Sequence, residues 1–273
     1  MVAIACLMPG AEGQMSTQGR DFWVMFTINY DGTGNVSLFA AGDTSCSINV
    51  SIPLMGWSQN YSLTGGSYVN IQLPQTYANP GTNTGVLNKG IHVTSTHNIS
   101  LYAANLMEYS FDITTVLPTY SLRRHYITQD YPCGSTNGIL MGSLLGMVAT
   151  SDSTTVDISL STATLNGYTQ GSMQHIILNA GQSYIAQAVS GGTFSGTEVS
   201  SSAPLAVFQG NRATTVPCGY PAADHLYEQA LPTEYWGRDF VLVPLALRSG
   251  QGDQVRVTSA ENGCMLYLDG VYL

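Results

Sequence analysis

Hydrophobic and polar residues alternate along much of this chain, and the pattern predicts β-strands. A period of two is expected where one face of a strand is buried. Examples are 22–26, 36–38, 156–160 and 255–257. Turn sequences such as Asp31-Gly32 separate these segments. Strands spaced about 8–12 residues apart, with no long 3.6-residue period, indicate an all-β protein of tandem β-sandwich-like modules.

A sequence repeat organises this pattern. Gly19-Arg20-Asp21-Phe22 recurs as Gly237-Arg238-Asp239-Phe240, and without a gap Cys46 then aligns with Cys264. Arg124 opens a more diverged middle copy, and 93–105 aligns with 199–211. Repeats define the architecture, so they take precedence over other motifs.

The repeat divides the chain into three parts. We predict β module 1 over 17–119, β module 2 over 120–234 and the incomplete start of β module 3 over 235–273. Arg20, Asp21 and Phe22, like Arg238, Asp239 and Phe240, are expected to be structural residues that open a module. Because a hairpin does not form a core alone, we expect the native protein to continue beyond a truncated third module.

Residues 1–16 form a separate segment. Val2–Met8 is apolar and precedes small residues, as in the back half of a secretory signal peptide. A disordered N-terminus and a lipoprotein anchored at Cys6 are the alternatives.

Composition favours an extracellular or cell-surface protein. Charged residues are 9% and hydrophobic residues 44%, and about 25% charged is average. The net charge is −9, and no basic cluster is present to bind nucleic acid. No apolar run approaches the ~20 residues that would span a bilayer.

Four of the five cysteines fall into two pairs. Cys46 and Cys264 share a repeat position within alternating segments, and we expect both to be small buried residues. Cys133 and Cys218 each lie in a Pro-Cys-Gly loop. In an exported protein they are candidates for a disulfide.

The densest polar cluster contains Asp224, His225, Glu228 and Gln229. On the single helical turn predicted for 224–230, Asp224 and Glu228 would share a face beside His225. Such groups suit a metal or acid/base site. The aligned stretch 110–114 has no acid or histidine at the positions of these three residues, which favours a structural role. We therefore predict no catalytic residue, no metal site and no cofactor.

Three stretches together resemble a known family. They are Gly19–Val24, Pro204–Asn211, and Asp224–Thr233 running into Trp236–Val241. They resemble the N-terminal domain of the IgGFc-binding protein family, which occurs in animal mucus proteins and in bacterial surface or secreted proteins. The sequence of the opening stretch resembles that of exported proteins from Bacteroidetes. The resemblance implies a non-enzymatic recognition or adhesion module. It makes Asp224, His225, Glu228, Gln229 and Asn211 candidate ligand-binding or family-signature residues.

The leading hypothesis is an extracellular adhesion or ligand-binding module within a longer surface or secreted protein. Its partners would be a host mucin, glycan or protein ligand and further modules of the same polypeptide. The first alternative is a structural stalk or spacer without a ligand. The second is a metal-dependent enzyme centred on Asp224, His225 and Glu228.

Overall fold

The computed structural model describes residues 15–133, 141–243 and 253–273 and confirms an all-β protein. Of the predicted leader at 1–16, residues 1–14 lie outside these ranges. Before Pro118 the strands are β1 (Gln18–Val24), β2 (Asn35–Gly42), β3 (Cys46–Ile52), β4 (Trp57–Leu63), β5 (Ser67–Gln72), β6 (Gly85–Leu87), β7 (Ile91–Met107) and β8 (Ser110–Val116).

A second set of strands follows. These are β9 (Arg123–Ile127), β10 (Ser143–Ala149), β11 (Thr154–Ser159), β12 (Met173–Leu178), β13 (Ser183–Gln187), β14 (Glu198–Thr214), β15 (Asp224–Gln229), and the small hairpin β16 (Tyr267–Leu268) and β17 (Val271–Tyr272). The short helix α1 spans Gln75–Ala78, and 3₁₀ turns span Pro53–Met55, Thr119–Ser121 and Thr233–Tyr235. None of the helices in the described ranges is long and apolar enough to cross a membrane.

The two large sheets have the same strand order. The first runs β4-β3-β7-β2-β5, and β1 and β8 also pair with β7. The second runs β12-β11-β14-β10-β13, and β9 and β15 also pair with β14. The long strands β7 and β14 each take different neighbours along their two halves. Each sheet therefore folds back on itself into a barrel-like sandwich.

The hydrophobic core crosses from one sheet to the other. Strands β10 and β13 are buried along their whole length. On β10, Leu144 and Val148 pack into the core of the first sheet, while Leu145 and Met147 pack into that of the second. A strand covered on both faces carries a continuous apolar run instead of an alternating one. Strand β6 strengthens the junction, since it precedes β7 in sequence but pairs with β13.

The chain that follows β1 lies inside this junction. Residues 25–29 are almost fully buried although they form no strand. The hydroxyl of Tyr227 donates to the carbonyl of Met25 at 2.6 Å. The N–H of Tyr30 donates to the carbonyl of Arg212 at 3.1 Å. A Cβ at Gly146 would lie 3.1 Å from Thr27 Cγ2, so the glycine makes room for this segment.

The tetrapeptide at 237–240 differs in structure from the identical one at 19–22. Phe22 is fully buried, because β1 pairs with β7 and places it opposite Val93. Phe240 is 39% exposed and, with Arg238 and Asp239, lies outside any strand. No strand of the described ranges pairs with this segment. The same tetrapeptide therefore opens a strand only where a partner strand is available.

Two further predictions for this region are wrong. Residues 255–257 form no strand. Cys264 is exposed, whereas Cys46 is buried as expected. Cys46 lies on β3 between β4 and β7, and no comparable pair of neighbours covers Cys264 in the described part of the chain.

Candidate binding groove between the two sheets

Residues 224–229 form strand β15, so the helical turn predicted there is wrong. The strand pairs antiparallel with β14. Alternation places Asp224 and Glu228 on one side, as the helix would have done, but moves His225 to the other. The buried side carries His225, Tyr227 and Gln229. Polar residues at buried positions concealed the two-residue period in the sequence.

Gly210 allows strands β14 and β15 to approach each other closely. Gly210 on β14 has a φ of +155°, and a Cβ there would overlap the carbonyl oxygen of Leu226. The register of the pair then shifts between Asn211 and Thr214. A glycine inside a strand commonly marks such a bulge or close approach. It sets the position of β15 against β14.

Strand β8 covers the other edge of β15. Backbone N–H groups of alternate β15 residues donate to side-chain oxygens of alternate β8 residues. The pairs are His225 to Ser110 Oγ (3.1 Å), Tyr227 to Asp112 Oδ2 (2.9 Å) and Gln229 to Thr114 Oγ1 (3.0 Å). The sequence separation is 115 in each pair, so the strands run parallel in a constant register. Side chains thus satisfy donors that an open sheet edge would expose.

A groove of about 470 Å³ follows these two strands. Its lining includes Phe111 and Ile113 on β8, which are 59% and 48% exposed. It also includes Asp112, Asp224 and Glu228. The groove therefore combines exposed apolar surface with carboxylates.

The carboxylates differ in their partners. Asp112 accepts the N–H groups of Tyr227 and Ile113, and Asp224 accepts that of Phe111 at 2.9 Å. Within the described ranges, the carboxylate of Glu228 accepts no hydrogen bond and has no cationic side chain within 4.0 Å. Burial, with a smaller contribution from the charge of Asp112, raises the pKa of Glu228 to about 7. Burial also raises the pKa of Asp112. Placing charge here without a counterion is unfavourable.

His225 and Gln229 are buried beside the groove. The Nδ1–H of His225 donates to the carbonyl of Asn211 at 2.9 Å. Burial lowers the pKa of His225 to about 4, so the ring is neutral at physiological pH. Gln229 Oε1 accepts the N–H of Leu117 at 2.8 Å. The Nε2 atoms of both side chains have no hydrogen-bond partner in the described structure.

From Asp112 onward, the residues of the groove lie within a region shared with known proteins. The family described as IgGFc binding protein matches residues 112–272, more than half of the chain. The chain belongs to the IgGFc binding protein family. The human IgGFc-binding protein is 27% identical over 168 residues. That match covers 60% of this chain but 3% of the human protein. No solved structure matches. The human relative gives no support to the expected bacterial origin.

Asn211, a candidate from the resemblance, lies inside the family match but is buried. Its Nδ2 donates to the carbonyl of Tyr131 at 3.2 Å. The aligned Asn105 on β7 donates to the carbonyl of Thr27 at 2.9 Å. Both asparagines hold the segment that follows the first strand of their sheet. The structure places Asn211 behind β15, against His225, and not in the groove lining.

The opening motif lies away from the groove. Arg20 Nε donates to Asn98 Oδ1 at 3.1 Å. Asp21 accepts the hydroxyl of Thr119, and its Oδ2 lies 2.8 Å from His92 Nε2. Arg20 and Asp21 thus tie β1 to β7 and to the connection between the sheets.

Cys133 and Cys218 form a disulfide with Cα atoms 5.4 Å apart. The N–H of Cys133 also donates to Thr214 Oγ1 at 2.9 Å. These contacts join the chain after β9 to the end of β14, near the shift in the pairing of β14 with β15.

The sequence did not identify the β8 side of the groove. Ser110, Asp112 and Thr114 lie two residues apart on the edge of β8 that faces β15. Their alternation of short polar side chains is the signal that was missed, because it is typical of a strand that accepts hydrogen bonds along one face. Among the described residues, no three His, Cys, Asp or Glu side chains lie close enough together to hold a metal ion.

Proposed function

We propose that this chain is an extracellular, non-enzymatic binding module that holds a protein ligand in the groove between β8 and β15. The observation that carries the proposal is the exposure of Phe111 and Ile113 beside carboxylates in a concave surface of about 470 Å³. Ligand sites are concave and combine apolar area with a few polar groups. Membership of the IgGFc binding protein family and the low charge content support the extracellular assignment.

The proposal includes the wider organisation of the protein. Modules 17–119 and 120–234 are two copies of one unit, and 235–273 begin a third in a longer exported polypeptide. The equal strand orders of the two sheets support the duplication. The much greater length of the human relative supports a longer protein. The complete open reading frame tests this, and a stop codon directly after Leu273 would contradict it.

A binding comparison tests the groove. We expect the purified protein to bind at least one of immobilised IgG Fc, purified mucin and a glycan array. The double variant Phe111→Ser/Ile113→Ser should lose this binding, because it removes the apolar wall. The matched control is Met173→Ser/Ile177→Ser on β12, whose side chains are 51% and 66% exposed outside the groove.

The outcomes separate the hypotheses. Binding that survives the groove variant, or that both variants abolish equally, contradicts a site in the groove. A ligand found on the glycan array alone would replace the protein ligand with a glycan. Failure of all three ligands to bind would favour the stalk or spacer.

A further inference from the structure

We infer that the groove accepts a lysine or arginine side chain of an extended protein segment, with Glu228 and Asp112 pairing with the cation and Phe111 contacting the stem. This inference rests on the proposed function and names the chemistry of its ligand. Its basis is the geometry of the groove and the charges that line it.

The first step is the negative charge of the groove, which has no cationic partner among the lining residues. The lining residues include Asp112, Asp224 and Glu228 but no lysine or arginine. His225, also in the lining, is neutral and turned toward the carbonyl of Asn211. A partly buried carboxylate without a counterion is unfavourable, so a ligand that brings a cation gains more than a neutral one.

The second step is the capacity for hydrogen bonds. A carboxylate offers about four acceptor sites. Asp112 uses one on each oxygen, for Ile113 and Tyr227. Glu228 uses none within the described ranges. Guanidinium and ammonium groups carry several N–H donors and no acceptor, so they match these oxygens.

The third step is the apolar wall. Lysine and arginine have long apolar stems that pack on hydrophobic surface while the charged end reaches a polar group. The exposed ring of Phe111 offers such a surface, and a cation over its face gains further attraction. Ile113 extends the wall along β8. A volume of about 470 Å³ leaves room for neighbouring residues of the segment.

An anionic ligand is disfavoured by the same charges. A neutral sugar would fit the groove but would leave Glu228 without a counterion. The groove therefore favours a basic, partly apolar polypeptide segment over either alternative.

A pair of peptides tests the inference. The probes are the end-capped peptides Gly-Leu-Phe-Arg-Leu-Phe-Gly and the same sequence with citrulline, the neutral isostere, in place of arginine. Isothermal titration calorimetry with the purified protein should show binding of the arginine peptide and about tenfold weaker binding of the citrulline peptide. Glu228→Gln should remove this difference and leave the citrulline affinity unchanged. Glu198→Gln, an exposed acid outside the groove, is the control and should preserve the difference.

The failures are distinguishable. Equal affinities for the two peptides, or no binding of either, overturn the cation inference. In that case the proposed function still stands if Phe111→Ser/Ile113→Ser abolishes binding of the protein ligand. If that double variant has no effect on the protein ligand, the groove itself is not the site. Circular dichroism melting of every variant identifies any that have unfolded.

Discussion

Strands β8 and β15 occupy the same place in their two sheets but have different surroundings. β8 pairs with β7 as β15 pairs with β14. Thr114 Oγ1 on β8 accepts a backbone N–H of β15, whereas the carboxylate of the aligned Glu228 has no hydrogen-bond partner within the described ranges. The comparison teaches that equivalent positions in two similar sheets can serve different purposes. At this position Thr114 joins the two sheets, whereas the carboxylate of Glu228 is available to a ligand in the groove.

The strongest test exchanges a glycine and an alanine at aligned positions. Gly210→Ala should destabilise the protein by about 3 kcal/mol or more, because its Cβ would overlap the carbonyl of Leu226 and a φ of +155° strains any other residue. The aligned Ala104 on β7 already carries a Cβ opposite Ile113. Ala104→Gly should cost only about 1 kcal/mol. Urea unfolding measures both values, and equal losses would contradict this difference between the strand pairs.

The next test removes a contact between the sheets. Asp112→Ala leaves the N–H of Tyr227 without its acceptor and should cost about 1–3 kcal/mol. Asp112→Asn keeps an oxygen at this position and should cost less. Thermal unfolding of the two variants provides the measurement. If the alanine variant is as stable as the asparagine variant, the hydrogen bonds from β8 do not stabilise β15.

A third test concerns pH. The pKa of Glu228 is about 7 in the folded protein against an ordinary 4.5. The folded state therefore holds an extra proton between these values, and stability falls as pH rises through this window. His225 acts in the opposite direction, since its pKa of about 4 against 6.5 makes stability fall as pH drops from 6.5. Asp112, Asp224 and Tyr227 are the other titratable groups facing these two residues.

These opposing effects make the variant Glu228→Gln informative. We expect the parent protein to show little change in stability between pH 4.5 and 6.5, where the two residues offset each other. The variant should lose stability steadily as pH falls through this range, and should be more stable than the parent above pH 7. Melting temperatures across the range decide. Parallel profiles for the two proteins would show that Glu228 titrates normally.

The smallest effect on stability is expected at the apolar wall. Phe111→Ser should change the free energy of unfolding by no more than about 0.5 kcal/mol, because the ring is 59% exposed. Its backbone N–H still donates to Asp224. A large loss in urea unfolding would show that Phe111 is part of the fold instead of a surface kept for a ligand.

The sequence predicted the fold class better than the site. Alternation along 156–160 indicated a strand, because this segment buries one face. The prediction for 22–26 holds only as far as Val24, where β1 ends, and this segment is buried on both faces. Alternation failed at β15, where polar His225 and Gln229 occupy the buried positions. Local sequence patterns could not predict the groove either, because Asp112 and Glu228 come together only when two strands that are distant in sequence lie side by side. The strand expected at the second occurrence of the tetrapeptide, 237–240, is absent for a related reason, because burial of Phe22 depends on its pairing with β7.

The buried course of 25–29 has a consequence for how the polypeptide is made. Met25 and Tyr227 are 202 positions apart in sequence, yet the hydroxyl of one donates to the carbonyl of the other. During synthesis the early segment leaves the ribosome well before β14 and β15 exist. It must stay uncovered for most of translation, and contacts of such long range slow folding. We therefore expect the nascent chain to depend on chaperones until its final strands emerge.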